Sequence, residues 1–235
     1  MNGAKSLSIV MPAYNEEPNV AAAIRAAAAA ASKLVSDWEV VIVNDGSRDG
    51  TAARVEEERQ KDPRVRLISF PQNQGFGAAL KTGLKAGEKS LVFYTDSDLQ
   101  FDLAQIGDLL PHIEKFPIVI GYRTNRQDHW VRLLNAWAWG RLQYVLFGLN
   151  VRDIDCGFKL FRREVVQALP MHSNGAFIST EILLRSQAAG YRIHEVPVQH
   201  YPRKAGAPTG ANFRVIARAF RELWTLRGEL RQIGR

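Results

Sequence analysis

Thr95-Asp-Ser-Asp-Leu-Gln100 sets two carboxylates and an amide directly after an apolar run, residues 90–94, that reads as a buried strand. Such groups at a strand exit are costly unless something compensates them. A hard divalent cation would, because Mg²⁺ and Mn²⁺ take oxygen ligands and keep positions open for phosphate oxygens. The chemistry that calls for this is departure of a nucleoside diphosphate, whose developing charge a metal neutralises. An isolated D-x-D is as readily a solvated turn or a helix cap, so the neighbouring motifs decide.

Two more polar clusters end apolar runs. Residues 7–11 lead into Pro12-Ala-Tyr-Asn-Glu16, and residues 38–43 into Asn44-Asp-Gly-Ser47. Tyr14 can offer a ring face, while Glu16 and Asp45 can accept hydrogen bonds from a nucleobase or ribose. Asn15 and Ser47 also suit helix N-termini. Capping and binding are compatible, and polar edges converging on one crevice favour binding.

The elements that must hold these motifs are legible as alternating strands and helices. Residues 7–11, 38–43, 65–70 and 90–94 read as strands; 20–34 (rich in Ala), 49–61, 76–89 and 103–115 read as helices. Repeated βα units imply a mostly parallel sheet flanked by helices on both faces, with ligands beyond the carboxyl ends of the strands. The second half is less regular. It reads as a strand at 118–121, one helix or a helix pair at 126–149, and a strand at 158–162. A helix at 179–189, a strand at 191–200 and an amphipathic helix at 212–230 follow. The 235 residues suit one α/β domain over 1–211, followed by a basic amphipathic helix within 212–235.

Charge is concentrated. The chain carries a net charge of +7, and from Arg203 onward eight basic residues stand against two acidic ones. Such a tail can meet nucleic acid, anionic lipid or phosphorylated substrates. No helix-turn-helix or aromatic–basic RNA motif accompanies it, so no nucleic-acid partner is expected. The single Cys156 excludes an intramolecular disulfide and suits a reducing compartment. The first residues show no signal-peptide pattern, and no apolar stretch reaches the ~20 residues that span a bilayer. The expected location is cytoplasmic, peripheral on the cytoplasmic face of a membrane.

In order, P-A-Y-N-E, N-D-G-S, Asn73-x-Gly75-x-Gly77 and T-D-S-D-L-Q resemble the motifs of family 2 glycosyltransferases. Gly121-Tyr-Arg123, Asp153-Ile-Asp-Cys-Gly-Phe-Lys159, Glu195-Val-Pro-Val and Tyr201-Pro-Arg203 carry the resemblance toward the dolichyl-phosphate mannose synthase and polyprenyl-phosphate glycosyltransferase branch. The resemblance implies a single GT-A (Rossmann-like) domain and a metal-dependent inverting hexosyltransferase. It also implies Mg²⁺ or Mn²⁺, a GDP- or UDP-linked sugar as donor, and a polyprenyl or dolichyl phosphate as acceptor.

Residue by residue, it implies Asp96, Asp98 and Gln100 at the metal and Pro12, Tyr14, Glu16, Asp45 and Asp96 around the donor. It puts Arg123 and Arg132 at the acceptor phosphate, and Asp98, Asp153, Arg123 and Arg203 in the catalytic machinery. The planar guanidinium fork suits phosphate oxygens. Two departures stand out. Asn44 replaces a commonly acidic residue, and the loop after Arg203 reads Lys204-Ala-Gly-Ala-Pro-Thr209 where the family commonly has G-x-S-K.

A phosphate monoester, with its second pKa at about 6, is already a nucleophile at neutral pH. A hydroxyl acceptor would need a base, for which Asp153, Asp155 and Glu181 are candidates. The alternative reading is therefore a soluble family 2 enzyme acting on a sugar hydroxyl in cell-wall or polysaccharide synthesis.

Trp130, Trp137 and Trp139 precede the apolar segment 142–149, with Arg132 and Arg141 interspersed. That composition suits a helix at the headgroup boundary of an anionic membrane. In the tail, Phe213, Ile216, Phe220, Leu223 and Trp224 form one stripe, with Arg214, Arg218 and Arg221 off it. Both helices would equally pack on the sheet or on a second subunit of a homo-oligomer.

Overall fold

Alternation along β1 (Ser6–Ala13) sets the architecture. Leu7, Ile9, Met11 and Ala13 face one apolar layer, and Val10 faces the other. β2 (Asp37–Asn44) repeats the pattern, with Trp38, Val40 and Ile42 on the first side and Val41 on the second. Strands buried on both faces belong inside a sheet with helices above and below. The structure, a computed structural model, describes residues 5–124, 130–203 and 221–229, leaving out the side chains of residues 130–133, 135 and 136.

The remaining strands are β3 (Val65–Ser69), β4 (Leu91–Thr95), β5 (Ile118–Arg123), β6 (Phe158–Arg162) and β7 (Ile193–Val198). The sheet order is β3-β2-β1-β4-β6-β5-β7. Among the described strands β6 alone runs antiparallel, between β4 and β5. The chain steps outward from β1 to β3, then returns to the other side of β1 for β4. The switch point therefore lies between β1 and β4, where sheets of this kind bind ligands.

α1 (Glu17–Leu34), α2 (Thr51–Lys61) and the short α4 (Ile106–Leu109) cover the first face. The second face is covered by α3 (Phe76–Ala86), α5 (Trp130–Phe147), α6 (Arg163–Ala168) and α7 (Ile178–Ala188). The helical residues 221–229 join that second layer through Leu223 and Leu226, both buried.

Local chemistry explains where the structure departs from the sequence reading. The helix expected at 103–115 is a 3₁₀ turn (Leu103–Gln105) followed by α4. Pro111 lacks an N–H and its ring opposes helix continuation, so the chain turns there. Within the described part of the 126–149 region there is one helix, α5 (Trp130–Phe147), ending before Gly148, whose φ of 69° closes it in the left-handed region. α6 was not anticipated. The tail stripe divides: Leu223 is buried, whereas Trp224 is 57 % exposed. Phe213, Ile216 and Phe220 lie outside the described residues.

Candidate active site at the carboxyl edge of the sheet

Register brings the motifs together. Ala13 pairs with Asn44, and Val10 with Tyr94, so the exits of β1, β2 and β4 leave one edge of the sheet side by side. β5 and β7 point the same way, and the loop entering the antiparallel β6 starts from that edge. Ser97 Oγ donates to the Pro12 carbonyl at 3.0 Å, tying the β4 exit to the β1 exit. Among the described residues, the two non-glycine residues with positive φ are Asn15 (54°) and Leu99 (61°), one in each of these exits. Backbone strain of this kind concentrates where a site dictates geometry.

Asp96 is half-buried and Asp98 buried. Burial, and then the neighbouring Asp98 charge, pushes the Asp96 carboxyl up to about 7. Lys159, the Tyr94 hydroxyl donating at 3.3 Å, and Arg123 pull in the opposite direction. Burial also raises Asp98, against a bond from the Gln100 N–H at 3.2 Å and the charge of Arg203. Two crowded carboxylates at a strand exit are the environment a divalent cation relieves. Among the described residues no His, Cys, Asp or Glu cluster offers three ligands. Two carboxylates fit an ion whose remaining ligands are phosphate oxygens brought by the substrate.

Arg203, on the loop after β7, spans the crevice. Its Nη2 donates to Glu16 Oε1, and its Nη1 lies 3.6 Å from Asp98 Oδ2. Gln100 holds this loop: its Nε2 donates to the Tyr201 carbonyl at 3.0 Å, and its carbonyl accepts the Tyr201 N–H at 2.8 Å. The Gln100 amide nitrogen is thus turned toward the loop. Tyr14 is partly exposed beside these groups, and Pro12 is buried.

Asp45 is turned inward. Its carboxylate accepts hydrogen bonds from Asn73 Nδ2 (2.9 Å), Gln74 N (2.7 Å) and Gly75 N (3.0 Å). Burial raises its pKa and the two backbone bonds oppose that. Asp45 therefore fixes the loop ahead of α3. Asn44 works similarly, its Oδ1 accepting the Ser47 N–H at 3.1 Å, a turn-capping task that needs no negative charge.

Arg123 and Asp153 are brought into direct contact. Nε donates to Oδ2 at 2.6 Å and Nη2 to Oδ1 at 2.7 Å. Glu181 lies apart, in the second apolar layer, accepting from Ser173 N and Arg185 Nε, each at 2.7 Å. That placement removes it from the candidate bases. Arg132 sits in α5, but its side chain lies outside the described residues, as do Lys204 and Pro208. A cavity of about 490 Å³ opens beside Asp153 and Asp155, walled by Trp137, Tyr144, Arg141 and Arg152.

A sequence model described as glycosyl transferase family 2 matches residues 8–169. The chain belongs to that family. Among curated family 2 relatives, the dodecaprenyl-phosphate galacturonate synthase of Rhizobium johnstonii is 28 % identical over 218 residues, covering 89 % of this chain and 64 % of the relative. The dolichyl-phosphate beta-glucosyltransferase of Trichomonas vaginalis is 30 % identical over 213 residues, covering 82 % and 63 %. The chain thus spans just under two thirds of the length of these relatives.

Solved structures share the fold. Glucosyl-3-phosphoglycerate synthase of Mycobacterium tuberculosis, with UDP, superposes at a TM-score of 0.67 and 22 % identity over 87 % of this chain and 74 % of that one. Mannosyl-3-phosphoglycerate synthase of Rubrobacter xylanophilus reaches 0.69 at 18 % identity, over 98 % and 75 %. The expected GT-A architecture, a single α/β domain around a mostly parallel sheet, is the one found.

The family 2 motifs draw attention to strand exits, and Lys159, which closes the Asp153–Lys159 motif, is given no role by them. Lys159 is 1 % exposed and lies within reach of the Asp96 charge. The available signal was a lysine inside an otherwise apolar strand, Phe-Lys-Leu-Phe.

Proposed function

We propose that the chain catalyses inverting transfer of a sugar from a nucleotide-diphosphate sugar to a polyprenyl or dolichyl phosphate. The observation that carries this is Arg203, whose guanidinium reaches Glu16 of the β1 exit and Asp98 of the β4 exit at once. A crevice with paired carboxylates on one wall and a bridging arginine suits a diphosphate leaving group.

Asp96 and Asp98 would hold Mg²⁺ or Mn²⁺, with Gln100 alongside; the bound ion neutralises charge on the departing diphosphate. Pro12, Tyr14 and Glu16 line the nucleoside side, and Asp45 shapes it through the 73–75 loop. The Mycobacterium synthase, which shares the fold, has been crystallised with Mn²⁺ and UDP-glucose; for this chain the donor is a GDP- or UDP-linked sugar.

The acceptor reading draws on the cavity beside Asp153 and Asp155. Aromatic walls suit isoprenoid carbons, and Arg141 and Arg152 suit a phosphate; Arg132 joins them on the family resemblance. A phosphate acceptor, with a second pKa of about 6, reacts by being positioned rather than deprotonated by a strong base. That agrees with a carboxylate of Asp153 already engaged by Arg123. Both curated relatives are named for polyprenyl-type phosphates.

No helix among the described residues is long and apolar enough to cross a membrane. Leu134, Trp137, Tyr144 and Val145 instead form one exposed face of α5, with Arg141 beside them. We assign that face and the basic segment 212–235 to the headgroup region on the cytoplasmic side of a membrane.

The deciding experiment measures sugar release from GDP- and UDP-sugars with Mn²⁺ or Mg²⁺, with and without a short-chain polyprenyl phosphate. Turnover that needs both metal and lipid phosphate supports the proposal. Donor binding with no acceleration by lipid phosphate moves the acceptor to a hydroxyl.

A further inference from the structure

Lys159 lies on β6 opposite Tyr94 of β4 and is 1 % exposed. A lysine there has three N–H donors and no water to receive them, so each needs a protein acceptor. Nζ donates to the Ile154 carbonyl at 3.0 Å and to the Cys156 carbonyl, and lies 5.7 Å from the centre of the Tyr94 ring. The 153–157 turn is thus wrapped around an ammonium group.

The rest of that turn is in contact with groups of the site. Arg123 clamps Asp153 at its start. Asp155 lines the cavity. At its end Gly157 lies so near the Asp96 carboxylate that a Cβ would collide with it. One flank of the turn therefore bears on the metal-binding carboxylate, and the other on the cavity. An apolar side chain of similar volume would suit the neighbouring phenylalanines but would give the Ile154 and Cys156 carbonyls no donor. A buried ammonium directed at two carbonyls of this turn points to a task in holding it in place.

We propose that Lys159 is a positioning residue for sugar transfer. Its ammonium holds the 153–157 turn between the Asp96 carboxylate and the cavity, so that donor and acceptor meet in register. This rests on the acceptor occupying that cavity, as proposed above. Without the ammonium, the Ile154 and Cys156 carbonyls lose their partner and the turn relaxes toward others. A displacement of about 1 Å at reacting groups is enough to cost about 10²-fold in rate.

The test compares Lys159→Met and Lys159→Gln in the full chain. Donor affinity is measured by calorimetry with Mn²⁺, folding by thermal melting, and kcat and KM with short-chain polyprenyl phosphate. Lys159→Met should fold and bind donor within about threefold of wild type, while kcat falls on the order of 10²-fold. Lys159→Gln, whose amide N–H groups can still reach a carbonyl, should recover part of the loss.

Unchanged kcat in Lys159→Met overturns the inference, and so do equal losses in both variants. A Met variant that no longer folds or binds donor also overturns it, since Lys159 is then a prop of the core. A wild-type chain indifferent to lipid phosphate overturns the acceptor reading instead. The same variants are then compared in metal-dependent hydrolysis of the donor, where the same losses count for or against Lys159.

Discussion

Arg123 and Asp153 form a two-pronged ion pair between the end of β5 and the loop that enters β6. The side chains are 6 % and 7 % exposed, and the Arg123 backbone N–H adds a third bond to Asp153 at 3.3 Å. A bidentate, nearly dry pair of this kind fixes both side chains. A proton reaching Asp153 would have to compete with the guanidinium for an oxygen.

Removing one partner breaks a buried, two-pronged charge pair, at a cost of about 3–5 kcal/mol. Asp153→Asn should therefore lower the melting temperature markedly, and Asp153→Leu combined with Arg123→Met should recover much of the loss. Thermal unfolding of the single and double variants checks this. An Asp153→Asn protein that melts like wild type yet has lost all turnover would make Asp153 a base after all.

Asp98→Ala should abolish metal-dependent transfer while leaving the fold intact, because Asp98 faces the crevice rather than the core. Donor calorimetry with and without Mn²⁺ reads the first effect and melting the second. Normal turnover in this variant would sink the metal assignment.

The raised carboxyl of Asp96 has a consequence for the metal-free chain. Folded Asp96 holds its proton up to about pH 7, whereas the unfolded chain releases it near the ordinary carboxyl value of 3.8. The native state binds more protons across that window, so stability should fall as pH rises through it. Mn²⁺ binds the deprotonated form and should flatten the slope. Melting temperatures from pH 5 to 8, for wild type and Asp96→Asn, measure it; equal slopes in the two would refute the burial argument.

The strand exits were legible because apolar runs ending in Pro-Ala-Tyr-Asn-Glu, Asn-Asp-Gly-Ser and Thr-Asp-Ser-Asp announce both the strand and its open edge. The Arg123–Asp153 contact was not. It depends on β6 inserting antiparallel between β4 and β5, and no local pattern reveals a partner 30 residues away. The inward bonds of Asp45 were hidden for a related reason. A residue type says that a carboxylate can accept hydrogen bonds, not that Gln74 and Gly75 will supply them from inside.

Cys156 offers an independent check on the packing of the 153–157 turn. It is fully buried, and burial pushes its thiol up to about 12. Compared with an ordinary thiol near 8.5, its thiolate fraction at neutral pH drops on the order of 10³-fold. Alkylation followed by mass spectrometry should show no labelling of the native protein at pH 7.5 and prompt labelling in denaturant. Fast native labelling would show that the turn opens.

Leu223 and Trp224 are sequence neighbours with opposite surroundings, and together they test the tail. Leu223 is fully buried in the second apolar layer, where Glu229 also receives Arg185 Nη2 at 2.5 Å. Leu223→Ala should cost about 2–5 kcal/mol of stability through the cavity it leaves. Its vesicle binding, measured on the folded fraction, should stay near wild type. Trp224→Ala, at an exposed position, should alter stability by no more than about 0.5 kcal/mol. Combined with Trp137→Ala it should weaken sedimentation with anionic vesicles, because both indoles then leave the surface assigned to the headgroups. If the double Trp variant sediments as wild type does, that surface is not the membrane contact and the basic segment must act without it.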